Sequence, residues 1–331
     1  MKKKILIWGT RILYTELQRE IHIALGDVEI LALINNEVNS PKIIDGYPVI
    51  TKWDISNYEY DEIVIFALEH FGNESSIRKD AAEVGVPAHK LVFCSKYFEQ
   101  KTVGDTIDMD IENQLGVLKA ILAADDEQIR DFDWMYQKFC EYGVYTWMED
   151  SCKFGRLRCT KNGMMQIPDE FIKFCIFLAD FKMDSAIEVG VFRGRSSYFM
   201  CAVLMRNNPD LRYVMVDIQD NLDHFEKYKE VLPALEKSIP STSEDYKGKA
   251  YDFVFIDADH SYDGSIKDYF NVGQYANKIV AFHDICGHEF DHLNGGTVRM
   301  WKEVMEMNSE KECHVFSKYL DRIMGIGCVK M

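Results

Sequence analysis

The chain has 331 residues, more than a single hydrophobic core usually holds, so we expect two domains. Its 47% hydrophobic and 28% charged content is ordinary for a folded globular protein and excludes a disordered chain. The net charge of -16 repels polyanions, which disfavours nucleic acid as a substrate or partner.

Membrane and secretion signals are weak in this chain. No apolar run reaches the roughly 18–20 residues that a membrane span requires. The basic and then apolar start of the chain is too short for the hydrophobic region of a signal peptide and is better explained as a strand. The nine cysteines are scattered and form no C-x-x-C pair, which is typical of reduced, buried thiols. We therefore predict a cytoplasmic protein.

Residues 1–100 alternate apolar strands with helical patterns, which favours a Rossmann-like domain with a parallel sheet. One helical pattern runs from Gly9 to about Ala24 and another from Asn73 to Val84. The predicted strands are Lys4–Trp8, Val28–Asn35, Tyr47–Ile50, Asp61–Ala67 and Leu91–Phe93.

Residues 101–164 differ in composition and predict a helical connector that packs on the second domain. The segment from Asp108 to Gln128 is acidic with a helical period, and the segment after it is rich in aromatic residues. These aromatic residues are ordinary core residues or line a pocket for an acceptor substrate. They are Trp134, Tyr136, Phe139, Tyr142, Tyr145 and Trp147.

Residues 165–331 show the order of elements of a doubly wound α/β sheet. The predicted strands are Ser185–Val189, Tyr213–Val216, Tyr251–Ile256, Ile279–Phe282 and a closing Ile323–Val329. The predicted helices are Pro168–Phe181, Ser196–Arg206, Phe225–Ser238, Gly264–Tyr275 and Thr297–Met307. The fold class is therefore α/β, with two Rossmann-like domains joined by the connector.

A glycine-rich turn carries the strongest functional signal. In the segment AIEVGVFRGRSS, an apolar strand ends near Glu188 and is followed by Gly190, Gly194 and the pair Ser196 and Ser197. Glycines let the backbone approach a ligand closely, and the amides at a helix N-terminus suit a carboxylate. The pattern is not the G-x-G-x-x-G of dinucleotide-binding enzymes.

An acid follows the next predicted strand. Asp217 ends YVMVD, where a carboxylate can accept both hydrogen bonds of a ribose diol. Phe192 in the glycine turn and Ile218 beside Asp217 are further candidates for cofactor contact.

Two further strand ends carry ionisable residues. The segment YDFVFIDADHSY delivers Asp257, Asp259 and His260 to the edge of the sheet where ligands bind. The segment IVAFHDI places His283 and Asp284 at the end of the next strand. Crowding so many ionisable groups is costly unless they serve a function.

The spacing E-x-G-x-x-x-G-x-S-S resembles motif I of class I S-adenosylmethionine-dependent methyltransferases. The later segments resemble the macrocin and cephalosporin-hydroxylase-like branch of O-methyltransferases, whose pattern is I-D-x-D-H-S-Y followed by a helix and H-D. The resemblance covers about Gln166 to Val329 and implies S-adenosylmethionine (SAM) as the cofactor. It implies that Glu188, Gly190, Phe192, Gly194, Ser196, Ser197, Asp217, Ile218 and Asp257 contact it.

The same segments are similar, more distantly, to catechol-type O-methyltransferases. This likeness implies Asp257 and Asp284 as ligands of Mg²⁺, with His260 as the catalytic base beside Asp257. An ordinary imidazole pKa near roughly 6.5 suits a base. The relatives place Asn or Asp after the second acid, whereas this chain has Ile285, which offers no ligand atom.

Metal dependence therefore stays open at this stage. Two carboxylates and the oxygens of an acceptor would suffice for Mg²⁺. Asp259 or His283 would otherwise fill the gap, although imidazole is a poor ligand for Mg²⁺.

The first hundred residues resemble the N-terminal domain of sugar O-acyltransferases of the pilin-glycosylation type, which binds a nucleotide sugar. The segment DGYPVI, Asp45 to Ile50, is the most specific part of this likeness. The alternative is a packing or dimerisation module that would make the protein a homodimer. Gly9 stands alone, with Arg11 to Leu13 where small residues are expected, which argues against a nicotinamide cofactor.

These observations predict a SAM-dependent methyltransferase acting on a hydroxyl of a sugar or glycoconjugate. A small-molecule acceptor of the natural-product type is one alternative. A non-catalytic protein that only binds the cofactor is another.

Overall fold

A computed structural model describes residues 2–10, 14, 21, 25–36, 40–66, 73–97, 111–145, 159–160, 162–317 and 324–331. The chain forms two compact units, which we describe separately. Unit 1 comprises Met1–Thr106 and Thr146–Cys159, and unit 2 comprises Ile107–Tyr145 and Thr160–Met331. The assignment of a function to each predicted domain stays a prediction.

Unit 1 contains a sheet whose strands lie in the order β3-β4-β2-β1-β5-β6. Its pairs are parallel except for the hairpin of β3 with β4. The strands are β1 (Lys3–Trp8), β2 (Val28–Ile34), β3 (Ile43–Ile44), β4 (Tyr47–Ile50), β5 (Glu62–Ile65) and β6 (Leu91–Phe93), and helix α1 spans Asn73–Glu83. The predicted strands of this unit are therefore confirmed, with shifts of one or two residues at their ends.

The first predicted helix of unit 1 lies largely outside the described residues, and so do Arg11 to Leu13. Tyr14 and Ile21, which the structure does describe, are helical and buried. The centre of β1 is fully buried, since Ile5, Leu6 and Ile7 have no exposed surface. A strand covered on both faces reads as a continuous apolar run, which is why β1 is legible in the sequence.

Unit 2 contains a sheet in the order β11-β10-β9-β12-β13-β15-β14. The strands from β11 to β13 pair in parallel, and β15 pairs antiparallel with both neighbours. Its strands are β9 (Ser185–Val189), β10 (Arg212–Val216), β11 (Leu235–Ser238), β12 (Tyr251–Ile256), β13 (Ala276–His283), β14 (Glu312–Phe316) and β15 (Ile326–Lys330). A short pair, β7 (Val144–Tyr145) with β8 (Cys159–Thr160), lies outside this sheet.

The described helices of unit 2 begin with three from the predicted connector. These are α2 (Ile111–Leu122), α3 (Asp126–Arg130) and α4 (Phe132–Tyr142). The others are α5 (Pro168–Leu178), α6 (Arg195–Asn207), α7 (Phe225–Val231), α8 (Tyr262–Asn271) and α9 (Gly296–Met307). The α/β fold class with doubly wound sheets is confirmed. None of the described helices combines the length and apolarity that a membrane crossing needs.

The strand order of unit 2 sets the position of a ligand site. From β9 the chain moves outward to β10 and β11, and it then returns to β12 on the other side of β9. The carboxyl ends of β9 and β12 thus border the point where the order reverses, which is where open α/β sheets bind ligands. All six residues of β12 are buried, so this strand is anchored in the core and holds its end in place.

One predicted element is wrong. The helix predicted over Phe225–Ser238 ends at Val231, and residues from Leu235 form the strand β11. Pro233 has no backbone N–H and disfavours helical conformation in the residue before it, so it ends the helix here. The edge strand β14 was not predicted, because its half-exposed residues ECHVF give no clear alternation.

The helices of the predicted connector pack into the core of unit 2. The ring of Phe139 on α4 lies 6.0 Å from Phe171 and 6.4 Å from Phe199, measured between centroids. Tyr142 meets Phe199 edge to face at 5.7 Å. Phe139 and Tyr142 are therefore core residues, while Trp147 lies outside the described residues.

We expect Phe139→Ala to lower the free energy of unfolding of unit 2 by about 3–5 kcal/mol, because it leaves a cavity beside the rings of Phe171 and Phe199. Urea denaturation followed by circular dichroism measures this change. Phe270→Ala is the matched control, since Phe270 is 43% exposed. Equal losses in the two variants would show that α4 adds little to the core.

Candidate active site

The carboxyl ends of β9, β10, β12 and β13 meet at one edge of the sheet in unit 2. They deliver the glycine loop, Asp217, Asp257 and Asp284 respectively. Residues that lie far apart in the chain thus border one cleft edge, as the sequence predicts for a doubly wound sheet.

At Gly190 the backbone of the glycine loop lies directly against the end of β12. It has a φ of +86°, and a Cβ atom built on it would lie 2.0 Å from the carbonyl oxygen of Asp257. A side chain at this position would collide with backbone, so only glycine lets the loop approach β12. Gly194, with a φ of +75°, then begins helix α6.

Asp217 holds the glycine loop through its carboxylate. Its Oδ2 accepts hydrogen bonds from the amides of Val191 at 3.0 Å and Phe192 at 2.9 Å. Its Oδ1 accepts from the amide of Gln219 at 3.0 Å. A carboxylate offers roughly four lone-pair sites, so about one remains for a ligand hydroxyl. This arrangement suits a single hydrogen bond to a ribose better than the bidentate pairing expected from sequence.

Glu188 and Ser197, both expected to contact a cofactor, lie fully buried beneath the loop. Oε2 of Glu188 accepts a hydrogen bond from the hydroxyl of Tyr213 at 2.6 Å. Burial raises the pKa of Glu188 to about 8, against the opposing effect of the Tyr213 hydroxyl. Sequence reasoning missed Tyr213, although a buried acid requires a donor nearby.

Phe192 and Ile218 are exposed apolar side chains beside the loop. They are 43% and 74% exposed, whereas Ser196 is half-buried. The ring of Tyr145 lies 6.1 Å from that of Phe192. Exposed apolar groups at a strand edge suit a flat apolar part of a ligand.

Two carboxylates and two imidazoles form a cluster beyond β12 and β13. His260 Nε2 lies 2.7 Å from Asp284 Oδ2 and 3.7 Å from Asp257 Oδ1. His283 Nδ1 lies 3.4 Å from each of the same two oxygens. The side chain of His283 is 4% exposed, and that of His260 is 33% exposed. His260 therefore faces the opening, and His283 lies beneath it.

The two carboxylates control the charge of the imidazoles. Burial lowers the pKa of His260, but hydrogen bonds and attraction from Asp257 and Asp284 outweigh it and raise this pKa to about 10. The same balance raises the pKa of His283 well above its usual value. Burial raises the pKa of Asp284, but the neighbouring histidines outweigh it and lower this pKa. The ordinary imidazole pKa assumed for His260 from sequence is therefore wrong for this arrangement.

Residues that the sequence did not single out complete the cluster. The ring of Phe290 stacks on His260 at 4.3 Å with an interplanar angle of 14°. Asp284 has a φ of +56°, and its carbonyl accepts a hydrogen bond from the hydroxyl of Thr297 at 2.5 Å. Neither partner lies in a recognisable motif, so only the three-dimensional arrangement reveals them.

Asp259 and Ile285 take no part in the cluster. Oδ1 of Asp259 accepts a hydrogen bond from the amide of Ser261 at 2.8 Å, at the start of α8. Ile285 is 3% exposed and packs in the apolar core. Asp259 and His283 were the two residues expected to replace the missing ligand at Ile285. Of these, His283 lies beside Asp257 and Asp284.

A divalent cation fits this donor set. Asp257, His283 and Asp284 each offer a ligand atom, and these atoms lie within 4.8 Å of one another. Two carboxylates balance the charge of a dication, and a nitrogen ligand completes a set of three. Asp257 and Asp284 are thus placed together as expected, with His283 added.

Comparison with known families agrees with this architecture. Residues 187–285, which run from β9 to the residue after Asp284, match the model of a methyltransferase domain. Residues 1–92 match a model described as C2185-like, N-terminal, so the likeness to sugar acyltransferases remains a prediction. No curated protein matches the chain.

Several solved structures are similar to this chain at low identity. The O-methyltransferase TomG of Streptomyces achromogenes, involved in tomaymycin synthesis and in complex with SAM, is 15% identical with a TM-score of 0.40, covering 67% of this chain and 99% of that chain. An O-methyltransferase from Bacillus cereus in complex with SAH is 13% identical with a TM-score of 0.38, covering 70% and 96%. A methyltransferase from Geobacter sulfurreducens is 10% identical with a TM-score of 0.37, covering 49% and 78%.

We expect Gly190→Ala to destabilise the protein by at least roughly 2 kcal/mol more than Gly248→Ala. Both glycines have positive φ, but a Cβ on Gly248 meets nothing within 4 Å, whereas one on Gly190 collides with Asp257. Chemical denaturation of both variants isolates the collision from the backbone strain. Equal losses of stability in the two variants would mean that the loop moves away from Asp257 at no cost in free energy.

The pKa of Glu188 predicts a pH-dependent stability. Its value of about 8 in the folded chain exceeds the ordinary 4.5, so the folded state retains a proton that the unfolded state has lost between these values. Stability should therefore fall with rising pH in this window, by about 1.4 kcal/mol per pH unit from this group.

We expect Glu188→Gln to remove that contribution, which denaturation curves at a series of pH values measure. Glu310→Gln makes the same substitution at an exposed position and serves as the control. An unchanged pH slope in Glu188→Gln would contradict a protonated Glu188.

Proposed function

We propose that the protein is a SAM-dependent O-methyltransferase that methylates a hydroxyl group of a sugar or glycoconjugate. One observation carries the proposal: the glycine loop is pressed against the strand end that bears the acid and histidine cluster. A Cβ on Gly190 would lie 2.0 Å from the carbonyl oxygen of Asp257. A cofactor on the loop would thus present its reacting group beside the cluster.

We place the cofactor along the carboxyl edge of the sheet. A ribose hydroxyl would donate a hydrogen bond to the remaining lone pair of the Asp217 carboxylate, and the flat base would lie against Phe192 and Ile218. Its carboxylate would meet the free amides at the start of α6, near Ser196, where the helix dipole favours a negative charge. Glu188 and Ser197 support the loop from below in this arrangement, because both are fully buried.

Methyl transfer requires an acceptor oxygen in line with the methyl carbon. The oxygen forms a bond to that carbon as the bond to the sulfonium sulfur breaks, which leaves S-adenosylhomocysteine (SAH) and a proton to remove. Holding both reactants in line accounts for much of the acceleration. The exposed position of His260 at the cluster suits removal of the proton.

His260 is oriented as a base by its neighbours. Asp284 binds Nε2 at 2.7 Å, and Phe290 fixes the plane of the ring. Within the described residues, Nδ1 makes no hydrogen bond, so it is the nitrogen that would take the proton. Because the carboxylates raise the pKa of His260 to about 10, the neutral ring grows tenfold more abundant per pH unit below that value.

Asp257, His283 and Asp284 would hold a divalent cation. When bound, such an ion lowers the pKa of an acceptor hydroxyl and neutralises the carboxylates beside His260. Mg²⁺, which the sequence suggested, is one candidate for this position.

The sugar acceptor rests on two supports. The net charge of -16 disfavours a polyanionic acceptor. The segment DGYPVI of unit 1 resembles a nucleotide-sugar-binding domain, so we assign residues 1–100 to sugar-nucleotide binding or dimerisation and residues 165–331 to catalysis. Buried free thiols such as Cys175 and Cys201 agree with a reducing, cytoplasmic location.

The direct test is SAH release from SAM in the presence of a panel of hydroxyl acceptors, with nucleotide sugars and free glycosides in separate arms. Release with glycosyl acceptors supports the proposal, and release only with phenolic acceptors would replace the sugar by another small molecule. Binding of SAH without turnover of any acceptor would favour a non-catalytic role.

We expect His260→Ala to lower kcat by roughly 10²- to 10⁴-fold and to flatten its rise with pH, because the base is lost. Calorimetry should find SAH affinity unchanged. His288→Ala removes a partly exposed histidine that pairs with Asp291 at 2.7 Å and should have neither effect. Normal turnover by His260→Ala would exclude the residue as the base.

A further inference from the structure

The cluster beyond β12 and β13 differs from an all-oxygen cation site in one residue. His283 places Nδ1 at 3.4 Å from Asp257 Oδ1 and 3.4 Å from Asp284 Oδ2. Its side chain is 4% exposed, so packing holds the nitrogen in this position. The catechol-type enzymes that this segment resembles have Asn or Asp, an oxygen ligand, at the position of Ile285. Here Ile285 is packed in the hydrophobic core.

We propose that Asp257, His283 and Asp284 form a site for a first-row transition-metal dication such as Zn²⁺, and that His283 makes it select against Mg²⁺. The inference deepens the proposed function, because it concerns the same cleft, but it does not require methyl transfer to occur.

The nature of the ligands supports this selectivity. Imidazole suits borderline ions such as Zn²⁺, Fe²⁺ and Ni²⁺, whereas Mg²⁺ prefers oxygen ligands and gives up its waters reluctantly. One nitrogen among three protein ligands therefore favours the transition metals. Within the described part of the chain, Nε2 of His283 has no hydrogen-bond partner, and the polar contacts of the ring are those of Nδ1 with Asp257 and Asp284.

The spacing of the ligand atoms gives an independent argument. Tetrahedral zinc with bonds of about 2.1 Å separates its ligand atoms by about 3.4 Å. Octahedral Mg²⁺ with bonds of about 2.05 Å separates adjacent ligands by only about 2.9 Å. The two distances from His283 Nδ1 to the carboxylates, both 3.4 Å, are closer to the tetrahedral spacing than to the octahedral one, and all three ligand atoms lie within 4.8 Å of one another.

The described residues supply three ligand atoms to this site. His260 is not a member of the set whose ligand atoms lie within 4.8 Å of one another, although its Nε2 reaches Asp284 Oδ2 at 2.7 Å. Three protein ligands with an open fourth position are the arrangement of catalytic zinc sites. His260 then supports Asp284 from outside, as the hydrogen-bonded neighbours of metal ligands generally do.

Cobalt provides the test, because Co²⁺ replaces Zn²⁺ and its visible absorption reports the coordination number and the ligands. We would titrate the full-length metal-free protein with Co²⁺, then displace the ion with Zn²⁺ or with Mg²⁺. We expect the intense bands of four- or five-coordinate Co²⁺, loss of these bands with Zn²⁺, and an affinity for Zn²⁺ at least about 100-fold higher than that for Mg²⁺.

Two substitutions identify the nitrogen ligand. We expect His283→Asp, which converts the set to oxygen ligands, to narrow the preference for Zn²⁺ over Mg²⁺ by at least about tenfold. His283→Asn tests the loss of the imidazole without adding a charge, and it should weaken Co²⁺ binding and shift the bands. His288→Asn, which changes a partly exposed histidine outside the set, should bind Co²⁺ as the unaltered protein does.

The outcomes separate this proposal from the proposed function. Binding of Mg²⁺ as tight as that of Zn²⁺, bands unaltered in a folded His283→Asn, or no binding of Co²⁺ at millimolar concentration would each overturn it. If both variants unfold, the spectrum and the Zn²⁺ and Mg²⁺ affinities of the unaltered protein still decide the matter. A protein that binds Co²⁺ as expected but releases no SAH would instead refute methyl transfer alone.

Discussion

The backbone contact between Gly190 and Asp257 is the constraint on which the candidate site depends. Parallel pairing of β9 with β12 brings their carboxyl ends side by side, and the amide of Asp257 donates to the carbonyl of Val189 at 2.9 Å. Without a side chain at Gly190, the loop can lie directly on the end of β12. The sheet thus fixes the distance between the loop and the cluster.

The charges at this edge are balanced locally. Two carboxylates face two imidazoles, so burial of each charge is compensated by an opposite charge within 2.7–3.7 Å. Removal of a single member would leave an uncompensated charge in a partly buried place, which is costly. A substitution in this cluster therefore changes the state of its neighbours as well as its own contacts.

Much of the fold could be predicted from sequence because the central strands are buried on both faces. β1, β9 and β12 are largely apolar in sequence; glycines follow β1 and β9, and Asp257 follows β12. The predicted helix across Pro233 is wrong because the residues on either side share a helical period, whereas the proline between them ends the helix. β14, an edge strand with half-exposed residues, has no comparable pattern.

Only some residues of the candidate site could be predicted from the sequence, for a different reason. Motif spacing points to Asp257, His260 and Asp284, whose positions follow from the strand ends. The contribution of Tyr213, Phe290 and Thr297 depends on packing between elements distant in sequence, and no local pattern records it. The raised pKa of His260 likewise follows from distances to two carboxylates, which a motif does not contain.

The hydrogen bonds from the glycine loop to Asp217 have a consequence for ligand recognition. The carboxylate accepts hydrogen bonds from the amides of Val191 and Phe192, so contacts within the protein restrain the shape of the loop. A ligand that binds such a preorganised loop loses less conformational entropy on association than one that must order a mobile segment. Discrimination between ligands at this loop would then come from shape and hydrogen-bond complementarity, with little contribution from induced fit.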